Sequence, residues 1–176
     1  MEKNHIQYLC KAAAIAAVYV ALSLVFAPIS FGPIQCRISE MLTVLPAFTA
    51  AAVPGLAIGC VLANTLGGAI LPDIIFGSLA TLIGAVVTKE LCKNIINDAI
   101  AVGKPDMNLR VRATLPPIIS NTIIVPLVLK YAYHFEDGLF FMIITVCVGE
   151  IISCGILGSI LIAALCRTRF ASLLDH

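Results

Sequence analysis

The chain has 176 residues, of which 60% are hydrophobic and only 12% are charged, and its mean hydropathy is +1.04. Soluble domains carry about a quarter charged residues, so this composition excludes a soluble globular fold and predicts an all-α integral membrane protein. A membrane-spanning helix needs roughly 20 residues, which leaves no room for a second, soluble catalytic domain. The net charge of +1 gives no field that would attract nucleic acid.

Six apolar segments are predicted to form transmembrane helices in one bundle that fills a single domain, residues 1–176. Pro28 ends the first segment, Pro54-Gly55 and Pro72-Asp73 separate the next ones, and Pro116-Pro117 opens the fifth helix. The predicted helices cover residues 9–29, 38–53, 56–71, 74–91, 115–133 and 139–165, with a polar loop at 93–114.

The distribution of cationic residues predicts the orientation, because Lys and Arg are retained on the cytoplasmic side of short loops. With six spans, both termini and the polar loop lie on one face of the membrane. Of the 11 Lys and Arg residues, only Arg37 and Lys130 lie on the other face. The sequence therefore predicts that both termini are cytoplasmic. Five spans would put the termini on opposite sides of the membrane and distribute the Lys and Arg residues over both faces.

The sequence carries no pattern of catalytic or metal-binding residues. Its three histidines, His5, His134 and His176, lie outside the predicted spans, and its seven cysteines form no pair with metal spacing. Nucleophile and nucleotide motifs are also missing. We therefore expect no enzyme, cofactor or metal, and a transporter with this sequence would need an external motor or an ion gradient.

Ionisable and amide side chains inside the spans are rare, and such groups usually have a function in membranes. Glu150 is predicted roughly 16 Å from the outer end of the last helix, near the membrane midplane. The others fall between the midplane and the outside, which predicts an outward-facing polar cavity: Arg37, Glu40, Asn64, Asp73 and Asn121. The alternatives are that the asparagines join neighbouring helices and that Arg37 and Glu40 form a surface pair.

Small residues repeat every four positions on the first predicted helix. Such a face allows another helix to approach closely, either from a partner protein or from within the same bundle. Two neighbouring strips make up this face: Ala12 and Ala16, and Ala13, Ala17 and Ala21.

Several local motifs together resemble those of the QueT family. The resemblance covers nearly the whole chain except the polar loop at 93–114. It rests on Phe26–Gln35, Arg37–Glu40, Leu45-Pro46, Gly59-Cys60 with Ala63-Asn64, Asp73 with Phe76–Leu82, and Asn121 with Val125–Leu127.

The resemblance implies a substrate-binding S-component of an energy-coupling factor (ECF) transporter for queuosine precursors, in a prokaryotic cell membrane. A transmembrane coupling subunit (EcfT-like) and two ATPase subunits would then supply the energy. It further implies that an alanine motif docks against the coupling subunit and that the loop from Phe31 to Gln35 covers the ligand. The docking motif maps onto Ala12, Ala13, Ala16 and Ala17.

Chemical reasoning from a 7-deazaguanine suggests roles for the polar residues. The base presents two adjacent donors, which a carboxylate such as Glu150 or Glu40 accepts in a fork. Asp73 suits a cationic aminomethyl substituent. The remaining candidates are donors to the base oxygen, Asn64, Asn121, Gln35 and Arg37, and rings that stack on the base, Phe31, Phe76 and Tyr133.

Two other functional classes compete with this interpretation. One is a stand-alone ion-coupled carrier, in which Glu150 binds a proton. The other is a membrane assembly protein, and an intramembrane enzyme is a weaker third possibility.

Overall fold

The computed structural model describes residues 2–30, 37–134 and 138–168, and these residues form an all-helical protein. A ten-residue 3-10 helix lies between the second and third α-helices, and a π-helical segment joins α7 to α8. The elements are α1 Glu2–Val25, α2 Ala27–Ser30, the 3-10 helix Ile38–Ala47, α3 Ala52–Leu66, α4 Leu71–Cys92, α5 Ile96–Val102, α6 Met107–Tyr131, α7 Leu139–Glu150, the π-helical segment Ile151–Leu157 and α8 Gly158–Arg167.

Within the described residues, four helical stretches are long and apolar enough to cross a membrane: His5–Val25, Leu71–Cys92, Met107–Tyr131 and Leu139–Arg167. The last of them combines α7, the π-helical segment and α8. Two shorter apolar helices, Ile38–Ala47 and Ala52–Leu66, lie between the first and second spans. The predicted all-helical membrane fold is thus confirmed, while the count of six spans and the cytoplasmic termini stay predictions.

The break between the second and third predicted helices lies earlier than expected. The 3-10 helix ends at Ala47 and α3 begins at Ala52, so Pro54 and Gly55 lie in the first turn of α3. Proline is tolerated there because the first backbone N–H groups of a helix have no partner within it. At about 2.0 Å per residue, the 3-10 helix covers roughly 20 Å, more than an α-helix of equal length would.

The polar stretch at 93–114 is also more helical than predicted. It contains α5 and the first turns of α6, which begins at Met107 instead of residue 115. The carboxylate of Asp106 caps α6 by accepting a hydrogen bond from the Leu109 backbone N–H at 2.8 Å. Pro116 and Pro117 therefore lie inside the helix and do not open it.

Small residues allow two pairs of helices to approach closely. A Cβ atom added to Gly55 of α3 would lie 2.7 Å from the carbonyl oxygen of Ala12 on α1. One added to Gly84 of α4 would lie 2.8 Å from Cα of Pro117 on α6. These approaches position α1, α3, α4 and α6 around the buried polar residues described next.

Candidate functional site

Six polar residues from five elements meet in the interior of the bundle. The start of the 3-10 helix, α3, α4, α6 and α7 each contribute at least one of them. The six are Arg37, Glu40, Asn64, Asp73, Asn121 and Glu150, and each is at most 8% exposed. The alternative that Arg37 and Glu40 form a pair on the surface is therefore wrong.

The Glu40 carboxylate is held on one side only. Its Oε1 accepts a hydrogen bond from the hydroxyl of Tyr19 on α1. The hydroxyl of Thr81 on α4 lies 3.5 Å from the same oxygen and 3.2 Å from the Gly77 backbone carbonyl. Its Oε2 is buried and has no hydrogen-bond partner among the described residues. The protein therefore holds one oxygen of this carboxylate and leaves the other without a hydrogen-bond partner in the described part of the chain.

Glu150, in contrast, has a partner on each carboxylate oxygen. The side-chain amide of Asn121 donates to Oε1 at 2.9 Å, and the thiol of Cys154 donates to Oε2 at 3.3 Å. Asn121 thereby joins α6 to α7, as the interhelical alternative proposed. Its own Oδ1 is buried without a hydrogen-bond partner in the described part of the chain.

A second group of polar residues lies around Asp73. Its Oδ2 is 3.7 Å from Nη2 of Arg37 and accepts a hydrogen bond of 3.1 Å from the Tyr133 hydroxyl. The amide of Asn64 donates to the Asp73 backbone carbonyl at 3.4 Å. Arg37 therefore connects this group to the cavity described below.

A small cavity lies among these polar residues. It is lined by Arg37, Glu40, Asn121 and Glu150 together with less polar neighbours, and its volume is about 10 Å³. That volume holds about one water molecule, whereas small-molecule pockets usually enclose about 300 to 1,000 Å³. A ligand with two rings therefore requires the surrounding elements to move apart.

The cluster also contains the ligand types that bind metal ions. One ligand atom each from Glu40, Glu150 and Cys154 lies within 4.8 Å of the other two. Two carboxylates and a thiolate could bind a divalent cation. The guanidinium of Arg37 lines the same cavity and opposes a second positive charge there.

The structure brings together the predicted polar residues but not all the predicted aromatic ones. Phe31 and Gln35 lie outside the described residues, and Phe76 is exposed on the outer face of α4. Sequence reasoning missed three side chains that contact the carboxylates, Tyr19, Thr81 and Cys154. The only available signal was that a tyrosine hydroxyl in an apolar helix needs a partner.

The structure divides the small-residue face of α1 into two strips. Ala12 and Ala16 are buried, and they lie against Gly55 and Gly59 of α3. The other strip faces outward and is open to a partner: Ala13, Ala17 and Ala21.

Several long apolar helices around buried charged and amide groups define a helical membrane protein of the transport type. Comparison with known proteins agrees, because the chain belongs to the QueT transporter family, which matches residues 9–167. This is a family of transporters, which confirms that the chain is not an enzyme. No solved structure matches the chain.

One relative is the queuosine precursor transporter QueT of Lactococcus lactis subsp. cremoris (strain MG1363). It is 36% identical over 85 residues, which are 47% of this chain and 50% of the relative. The chain thus matches about half the length of that relative.

Proposed function

We propose that this chain is the substrate-binding S-component of an ECF importer and captures a queuosine precursor of the 7-deazaguanine class. The observation that carries the proposal is the buried polar cavity walled by Arg37, Glu40, Asn121 and Glu150 in a chain of this transporter family. The name of the Lactococcus relative and the motifs that resemble the family support the substrate class.

The chemistry of the cavity suits such a ligand. Buried oxygen acceptors in the cavity wall accept from the adjacent N–H donors of the base, and the Arg37 guanidinium donates to the base oxygen. Asp73 lies 3.7 Å from that guanidinium and suits a cationic substituent on the second ring. Asn64 lies beside Asp73, and Phe31 and Gln35 remain proposed as part of a covering loop.

The proposal assigns energy supply to other proteins. A transmembrane coupling subunit would dock on the outward strip of α1, and two ATPase subunits on the cytoplasmic side would drive release. Both termini of this chain would be cytoplasmic, because nine of the 11 Lys and Arg residues would then lie on that side.

Uptake measurements test this function in cells that express the chain with its coupling module. We expect accumulation of labelled precursor, and its loss when the ATPase subunits carry a disabling substitution in their nucleotide site. Uptake that persists without ATP hydrolysis would contradict the proposal.

A stand-alone ion-coupled carrier is the second candidate, because carboxylate oxygens of Glu40 and Glu150 lie within 4.8 Å of each other and two carboxylates that close favour the uptake of a proton. It predicts precursor uptake into vesicles that contain only this purified protein, driven by a pH gradient. The S-component proposal predicts no such uptake.

A further inference from the structure

We infer that Glu40 and Asn121 contact the ligand, as two acceptors for adjacent N–H donors, and that Glu150 is a positioning residue that orients Asn121. This inference rests on the proposed function and deepens it, because it states which face of the ligand is recognised. Of the two carboxylates that the sequence offers as ligand contacts, it selects Glu40 and not Glu150.

Two side chains of the cavity wall carry buried oxygen acceptors. Both Oε2 of Glu40 and Oδ1 of Asn121 are buried without a hydrogen-bond partner among the described residues, and both side chains line the cavity. Burying an acceptor without a partner is costly, and native structures rarely keep one without a reason. A ligand that donates to both atoms would remove that cost.

Glu150 has a different position in the network. Its Oε1 accepts from the amide of Asn121, and its Oε2 accepts from the thiol of Cys154. The contact with Asn121 sets the orientation of its side-chain amide: Nδ2 points to Glu150, and Oδ1 is left for another donor. Glu150 therefore acts on a ligand through Asn121.

The unpartnered atoms specify the ligand face. Both are acceptors, so the ligand must present donors at this wall of the cavity. A 7-deazaguanine does so with N1–H and its 2-amino group, whereas an adenine-like base has an acceptor at N1. A site that hydrogen-bonds a ligand N–H strongly rejects analogues that lack it, because its buried acceptors are then left unpaired.

Substitution of Glu40 would disturb this face in a defined way. In Glu40→Gln, the Tyr19 hydroxyl holds the amide oxygen at the Oε1 position. The new NH₂ group then points at the ligand donors. In Glu150→Gln, by contrast, the amide oxygen still accepts from Asn121, and its orientation is retained.

The experiment is a calorimetric titration of the purified full-length protein in nanodiscs with 7-aminomethyl-7-deazaguanine and with its analogue that lacks the 2-amino group. We expect the wild-type protein to bind the analogue about tenfold to a hundredfold more weakly. Glu40→Gln should weaken binding of the parent compound by a similar factor, and it should remove the difference in affinity between the two ligands. The matched control is Glu90→Gln, at an exposed carboxylate on α4 that pairs with Lys93, and it should keep both affinities. Glu150→Gln should weaken binding less than Glu40→Gln does and should keep the discrimination, because its amide oxygen still accepts from Asn121.

A further variant, Glu150→Leu, tests the positioning role because it releases the Asn121 amide. It should bind the parent compound more weakly than Glu150→Gln does. Thermal unfolding of each variant shows whether the protein is folded, and the comparison of the two ligands on the wild-type protein needs no substitution.

The outcomes distinguish failure of this inference from failure of the proposed function. If the wild-type protein binds the parent compound but treats both ligands alike, or if only Glu150→Gln loses affinity, the inference is wrong and the proposed function stands. If the wild-type protein binds neither compound, the proposed function fails and the inference falls with it.

Discussion

Tyr19 is the side chain on which the orientation of Glu40 depends. It is almost fully buried on α1, and its hydroxyl donates to Glu40 Oε1. Hydrogen bonds to charged acceptors contribute about 1.5 to 3 kcal/mol. This contact holds Oε1 toward α1, while Oε2 has no hydrogen-bond partner among the described residues.

Replacing Tyr19 by Phe should therefore weaken precursor binding without removing it. We expect the dissociation constant to rise about threefold to tenfold, because the carboxylate is still present but less well oriented. Calorimetry on the purified protein measures this change. The matched control is Tyr8→Phe, since Tyr8 is exposed and its hydroxyl donates to the Ala50 backbone carbonyl at 3.4 Å, outside the polar cluster. Equal effects of the two substitutions would contradict the role given to Tyr19.

At this scale, the sequence predicted which charged groups are buried but not their partners. A carboxylate such as Glu150 is conspicuous in an apolar helix, since burying it is expensive. The hydroxyl of Thr81 and the thiol of Cys154 are cheap to bury and occur in many helices, so they gave no signal. Which acceptor is left open depends on the rotation of each helix against its neighbours, and spacing along one chain does not specify that rotation.

At the scale of elements, the two carboxylates that line the cavity lie beside departures from α-helical geometry. Glu40 belongs to the 3-10 helix, and Glu150 immediately precedes the π-helical segment. Long 3-10 helices are uncommon, and π-helical turns often mark functional sites. The cavity must widen to admit a two-ring ligand, so these two elements are where we expect the movement. The apolar pattern of 38–53 predicted a span but not this geometry, because packing decides between the two helix types.

The close approach of α4 and α6 gives a prediction for stability. Gly84→Ala places a methyl group against the backbone of Pro117, where the added Cβ would lie 2.8 Å from Cα. We expect a loss of about 1 to 3 kcal/mol, seen as a lower midpoint of thermal unfolding. Gly138→Ala is the control, because no described atom lies within 4 Å of the added Cβ. A midpoint unchanged in Gly84→Ala would show that α4 and α6 do not pack as described.

At the scale of the whole molecule, α1 has two faces with different neighbours. Its buried face brings the Tyr19 hydroxyl to Glu40 and packs Ala16 on α3, while Ala17 faces outward. The repeat of alanines predicted a face for close packing, but spacing alone left internal and external packing open. The structure assigns Ala12 and Ala16 to the interior, and the outward strip stays a proposed docking face.

A bulky residue on the outward strip should separate transport from binding. We expect Ala17→Trp to reduce uptake at least tenfold while ligand binding by the isolated subunit stays unchanged, because only docking needs a small residue there. Ile160→Trp is the control, since Ile160 is 61% exposed on α8, away from this strip. If Ala17→Trp lost ligand binding as severely as uptake, the strip would serve packing within the bundle.

The central claim is that this chain alone captures a queuosine precursor and leaves energy supply to its partners. Direct titration of 7-aminomethyl-7-deazaguanine into the purified wild-type protein, with no ATP and no other subunit, tests it most directly. The account predicts saturable binding at one site per chain, and no binding of an adenine-type base at the same concentrations. Failure to bind the precursor until the coupling subunit and ATPases are added would contradict it.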